Sequence, residues 1–247
     1  QIGTTYGLAY NKYTKEIYSS AYLKRHTGLL DLNNDGNGDL GSIYVTNTTN
    51  NFTTLWLDIT TLGINFGTIG NDATRGLGAL TAPSNDANAF SLVGKVGIGD
   101  IELSENGKIL YLTNLYDKKL YAIDIDSKSI YGTWSIPSNC SNNDVVNFGL
   151  KIYRNEIYIG QVCTAESSQL ATDLQATVYK FDGVNFVNIL NFSLNYPKGY
   201  VYRACQFTRK FTPWISTFPS DCGPVWPNIL AVPQAIFSDI AFDPNNR

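Results

Sequence analysis

Short apolar–polar alternations, each closed by a polar turn, recur along the chain in a fixed layout. They are clearest in "TYGLAYNKYTKEIYSSAY", "GIGDIELSENGKILYLTNLY", "VNFGLKIYRNEIYIGQVCT" and the closing "IFSDIAFDPNNR". Each opens on a Gly or Asp followed by an aliphatic residue: Gly7-Leu8, Asp100-Ile101, Gly149-Leu150, Asp239-Ile240. The first three then turn through Asn, Lys, Glu or Gly and reach an aliphatic-Tyr pair at Ile17-Tyr18, Leu110-Tyr111 and Ile157-Tyr158. Period-two alternation over such lengths predicts half-buried β-strands joined by tight turns. A third strand follows in "GSIYVTN", "KKLYAID" and "ATVYKFD", placing Tyr44, Tyr121 and Tyr179 in matching positions. A fourth carries a large aromatic, and Trp56, Trp134 and Phe192 follow those tyrosines by 12, 13 and 13 residues. The spacing predicts one register kept across all four strands.

Four antiparallel strands in a unit of roughly 40 to 50 residues is the signature of a propeller blade. The fold class is therefore all-β, a β-propeller of four-stranded blades. The anchors Leu8, Ile101, Leu150 and Ile240 are separated by 93, 49 and 90 residues, a basic period interrupted twice by insertions. This predicts blade 1 at 4–60, an insertion at 61–95, blade 2 at 96–137, blade 3 at 145–195, a second insertion at 196–235 and the start of blade 4 at 236–247. Three blades and one strand do not close a ring, so residues 1–247 are expected to be a partial arc. The Gln1 start and the lack of Met and of a signal peptide are read in the same sense, as a segment of a longer precursor.

Composition narrows the partners. With 16% charged residues and a net charge of -3 there is no basic footprint for nucleic acid, and no apolar run reaches membrane-spanning length. The expected partners are other domains of the same long chain and a glycan or protein ligand. Trp214, Trp226 and Phe218, with Phe207 and Phe211, offer the second insertion an aromatic ligand surface; packing of that insertion onto the propeller is the competing reading.

Four cysteines allow three pairings. Cys140 precedes the first strand of blade 3 and Cys163 ends its second, and antiparallel pairing brings these two places together. Cys205 then pairs with Cys222 inside the second insertion, four buried free thiols being the competing reading. Disulfides imply an extracellular or cell-surface location. Sequons stand at Asn47, Asn51, Asn139 and Asn191.

Catalytic signals are sparse. His26 is the single histidine, which excludes a two-histidine metal site within the segment, and no G-x-S-x-G elbow accompanies it. Lys24 and Arg25 beside it could meet an anionic ligand, although "LKRHTG" reads first as a polar hairpin exit. The glycines of "GIGD" and "GLGAL" lack the strand–turn–helix context of a phosphate loop. Asp100, Glu102, Asp239 and Asp243 begin blades and could face a channel, where lactonase-like propellers hold a catalytic calcium. The loop "DLNNDGNGD" sets Asp31, Asn33, Asp35 and Asp39 at positions 1, 3, 5 and 9 of a calcium loop, with Gly36 at the sixth and Asn37 able to offer its carbonyl. Position 12 is Ser42 rather than Glu, and the flanks are strands. Structural calcium and a plain solvated hairpin both remain open; no other cofactor is expected.

The segments "GTTYGLAYN", "IYSSAYLKRHTG", "GSIYVTN", "GKVGIGDIELSENGKILYLTNLYDKKLYAI", "FGLKIYRNEIYIGQVCTAESSQ", "ILNFSLNY" and "FSDIAFD" together make the chain resemble the propeller module of large bacterial surface proteins with SdrD B-like domains. The resemblance spans nearly the whole chain and departs at the 31–41 loop. It implies a secreted or surface-anchored, adhesin-like protein on the bacterial outer surface, often exported by the type IX route, with no defined catalytic residues. The leading expectation is a noncatalytic module for display, adhesion or assembly. The alternatives are a calcium-dependent hydrolase or lyase acting at the channel, and a secretion-system substrate captured with its carrier.

Overall fold

The computed structural model describes residues 3–79, 81–199, 209–217 and 232–243. Twelve strands form three antiparallel sheets, each built from four consecutive strands in sequence order. Blade 1 comprises β1 (Thr4–Asn11), β2 (Glu16–Tyr22), β3 (Ser42–Asn47) and β4 (Phe52–Asp58). In blade 2 the strands are β5 (Ile98–Leu103), β6 (Ile109–Asn114), β7 (Lys119–Asp124) and β8 (Ile130–Ser135). Blade 3 consists of β9 (Val145–Tyr153), β10 (Glu156–Cys163), β11 (Gln175–Phe181) and β12 (Phe186–Ser193). The sole α-helix among the described residues is the single turn α1 (Ala87–Phe90), inside the excursion between blades 1 and 2.

The repeat read in the sequence is visible as pairing register. Leu8 faces Ser19, which faces Tyr44. Ile101, Leu112 and Tyr121 occupy the same three places in blade 2, as do Leu150, Ile159 and Tyr179 in blade 3. Every first strand also carries an irregularity just before its anchor, where Tyr6-Gly7, Gly99-Asp100 and Phe148-Gly149 stand outside the regular ladder. A bulge there increases twist and re-aims the side chains that follow it. The Gly or Asp ahead of Leu8, Ile101 and Leu150 is thus a bulge position.

The fourth strand departs from the expected register. Trp56 falls in an irregularity opposite Ile43 and Tyr44, Trp134 faces Leu120, and Phe192 faces Ala176, so the three aromatics are not equivalent. Outer strands are mostly solvent-exposed here, and register is weakly specified where neither face is fully buried.

Inner strands pack side by side, β1 on β5 and β5 on β9. One apolar core lies between the first two sheets, with Ala9, Tyr18 and Trp56 against Ile101, Leu110, Leu112 and Tyr121. A second sets Leu120, Tyr111 and Trp134 against Leu150, Ile157, Ile159 and Tyr179. Residues 236–243 take no ladder pairing but lie over blade 3: Phe237 covers Gly149 and Gly160, and Phe242 stacks on Tyr153 at 4.4 Å. Sequential up-and-down sheets packed face to face with their first strands together define an open propeller arc.

Candidate functional site in the propeller channel

The bulges turn side chains of the inner strands toward a common axis. Tyr6 and Leu8 of β1, Asp100 and Glu102 of β5, Lys151 of β9, and Ser238 with Asp239 of the closing segment line a cavity of about 300 Å³. Tyr6 reaches across it, its hydroxyl donating to the Ser238 carbonyl at 2.5 Å. Three of the four carboxylates singled out in the sequence therefore share one cavity; Asp243 is not part of its lining.

Each of the three has a partner within the protein. Asp100 accepts from the Ile101 amide at 2.9 Å through Oδ1 and from the Leu150 amide at 3.1 Å through Oδ2, tying blade 2 to blade 3. Asp239 caps the Ile240 amide at 2.7 Å, and Glu102 is ion-paired with Lys151. Burial, reinforced by Glu102 and Asp239, pushes the Asp100 carboxyl up to about 7 despite the two amides. Burial also raises the Tyr6 hydroxyl, with Asp100 adding to it. For Lys151 burial works against the charge, but the Glu102 hydrogen bond and the surrounding carboxylates outweigh it and keep the ammonium charged. Among the described residues no three His, Cys, Asp or Glu side chains are placed to hold a metal ion.

The 31–39 loop closes on its own backbone. Asp31 accepts from the Asp35 and Gly36 amides at 3.0 and 3.1 Å, Asp35 from Asn37 at 2.8 Å, and Asp39 from Leu32 at 2.9 Å. Asn33 Oδ1 accepts from Asp35 at 3.1 Å. The Asn37 amide holds the Asp35 carboxyl below its ordinary range, whereas burial raises Asp39. The loop is also stitched to the following excursion, since Asn71 donates to Asp31 at 3.0 Å and Gly38 to the Ile69 carbonyl at 2.9 Å.

Other candidate residues have structural surroundings. Trp214 is not at the surface: its ring is only 4% exposed, packs in one cluster with Val146 and Phe148, and donates from Nε1 to the Ala235 carbonyl at 3.1 Å. Trp226, Phe218, Phe207 and the Cys205–Cys222 pairing lie outside the described residues. Cys140 and Cys163 are bridged, with Cα atoms 5.2 Å apart. The His26 amide donates to Asp86 at 2.8 Å, while Arg25 donates to the Asn85 carbonyl at 2.5 Å, so "LKRHTG" latches onto the excursion. Sequence reasoning missed Arg75 and Asp86, a fully buried ion pair at 2.6 Å in that same excursion. Neither residue stands in a periodic pattern that would mark it as internal.

The fold and the site define a propeller arc whose channel carboxylates are bonded to backbone and lysine. No family model matches the chain. Three curated relatives come from Dictyostelium discoideum. Colossin-B is 23% identical over 97% of this chain, Colossin-A 24% over 99% and Colossin-D 28% over 68%. The chain spans only 6%, 2% and 17% of these relatives' lengths.

Among solved structures, a chain of a nidogen/laminin complex aligns with 80% of this chain and 52% of its own, at 11% identity and a TM-score of 0.42. A periplasmic gluconolactonase from Pseudomonas aeruginosa aligns with 81% of this chain and 44% of its own, at 9% identity and 0.40. The assignment of the fold rests on the sheets themselves.

The relatives are eukaryotic, which corrects the bacterial resemblance; the bacterial outer surface and the type IX route go with it. The physical reason lies in the motifs that carried the resemblance. Gly or Asp before the anchor and the aliphatic-Tyr pair on the second strand serve the bulge and the blade core, so they mark a blade type rather than a lineage.

Proposed function

We propose that the chain is a noncatalytic module of a much longer extracellular polypeptide, serving display, adhesion or assembly. The observation that carries this reading is the use of the channel carboxylates: Asp100 holds amides of two inner strands, Asp239 caps the Ile240 amide and Glu102 pairs with Lys151. A catalytic set needs groups free to meet a substrate or a metal. The Cys140–Cys163 bridge supports the extracellular placement, because disulfides persist in oxidising compartments. The relatives' great length supports a modular role.

Calcium at the 31–39 loop belongs to the same proposal as a stiffener of a hairpin tip. The Asp-Asn-Asp-Gly spacing supports it, and the amide caps already made by those carboxylates limit what the ion would add. One experiment covers both points: a panel of lactones, esters and glycosides is assayed in calcium and in EGTA while melting is followed in the same samples. No turnover is expected, together with a calcium-dependent rise in melting temperature that Asp35→Ala removes. Calcium-dependent turnover abolished by Asp100→Asn at unchanged melting temperature would establish the channel enzyme instead; melting indifferent to calcium would remove the ion from the proposal.

A further inference from the structure

Each later blade buries one face against the blade before it. On blade 2 that face carries Ile101, Leu110 and Leu112, all fully buried. On blade 3 it carries Leu150 and Ile159, also fully buried, with Ile157 beside them. Pairing register identifies the equivalent positions of blade 1 as Leu8, Ile17 and Ser19, with Tyr10 next to them on the same face. Here the protection is missing: Leu8 is 58% exposed and Tyr10 56%, and Leu55 of the outer strand is open as well. Ser19 and Tyr44 stay buried, so the open area is an apolar strip along the inner strand with an outlying patch at Leu55.

We propose that this face of blade 1 is a docking surface for a further four-stranded blade of the same polypeptide. The occupant's chemistry is set by the two interfaces already present. Blades 1 and 2 each offer their successor a tyrosine on the second strand, Tyr18 or Tyr111, and a tryptophan on the fourth, Trp56 or Trp134. A blade with that profile meets Leu8, Tyr10 and Ile17 as blade 1 meets Ile101, Leu103 and Leu110.

The other end of the arc argues for the same polypeptide as its source. There this chain covers an open blade face with its own residues 236–243, through Phe237 on Gly149 and Gly160 and Phe242 on Tyr153 and Tyr158. Leu8 is exposed where its equivalents Ile101 and Leu150 are fully buried, and Tyr10 where Leu103 is buried, which is what an interaction surface leaves when its partner is removed.

The test compares thiol labelling of Leu8→Cys in the 247-residue chain and in the protein at its natural length, with Thr49→Cys as the exposed reference and Ile101→Cys as the buried one. Leu8→Cys is expected to label like the exposed reference in the 247-residue chain and at least about tenfold more slowly at natural length. Hydroxyl-radical oxidation of Tyr10 in the unaltered proteins gives the same comparison without a substitution, and should fall in parallel. Equal labelling in the two proteins overturns the proposal. So does protection that develops in the 247-residue chain as its concentration rises, because the occupant is then a second copy.

Discussion

Asp100 shows how one carboxyl can be both structural and titratable. Its two oxygens hold the Ile101 and Leu150 amides, yet burial, reinforced by Glu102 and Asp239, raises its pKa to about 7. An acid whose folded pKa lies above its unfolded value of about 3.9 binds its proton more tightly when folded. Its contribution is therefore fully present below that unfolded value and is lost as pH rises through the folded one. Wild type should lose stability relative to Asp100→Asn between about pH 4 and pH 7, by at most about 1.4 kcal/mol per pH unit. Denaturant titrations at several pH values read this directly, and parallel curves for the two proteins would show that Asp100 does not titrate in that window. The sequence marked Asp100, Glu102 and Asp239 because they open blades. It could not show that each had a partner, since the amide of Leu150 and the ammonium of Lys151 arrive from a different blade, about 50 residues along the chain.

At the scale of elements, the legible part is what the blade core enforces. Leu8, Ile101 and Leu150 could be aligned because each must face the second strand immediately after a bulge, and Tyr44, Tyr121 and Tyr179 because they face the same second-strand position. The outer strands carry no such constraint, which is why Trp56, Trp134 and Phe192 drift out of register despite their regular spacing. The Cys140–Cys163 bridge was legible for a related reason: antiparallel strands return to where they began. Closing a loop with a sequence separation of 23 restricts the unfolded chain. Cys140→Ser combined with Cys163→Ser should lower unfolding stability by about 3 kcal/mol. Urea unfolding of wild type and of the double variant measures the loss; superimposable curves would mean that the bridge contributes nothing to the folded blade.

For the molecule as a whole, an arc must find elsewhere the stability that a closed ring gains from its last interface. Here the two excursions of blade 1, residues 23–41 and 59–97, fold together and add Leu23, Leu29, Leu40, Ile59, Ile64, Phe66 and Ile69 to the core shared by blades 1 and 2. Arg75 and Asp86 pin that addition. Their side chains are wholly buried, Arg75 also donates to the Lys24 carbonyl at 3.1 Å, and Asp86 accepts from the His26 amide. Burial alone would raise Asp86, but Arg75 and the His26 amide outweigh it and hold the carboxyl below its ordinary range.

The stabilisation is therefore present above the unfolded pKa of about 3.9 and is lost as pH falls through the folded value. Asp86→Asn keeps the shape and suits the left-handed backbone at φ 46°, yet leaves the buried Arg75 charge with only the half-exposed Asp72 at 3.9 Å. Breaking a buried pair in this way costs about 3–5 kcal/mol, whereas Arg75→Met with Asp86→Asn removes the stranded charge and should recover part of it. Because the excursions and blade 1 share one core, hydrogen exchange in Asp86→Asn should quicken together in 69–76 and in β2 and β3. Faster exchange confined to 69–76 would make the excursions a separate folding unit, and the arc would then have to stand on its blade interfaces alone.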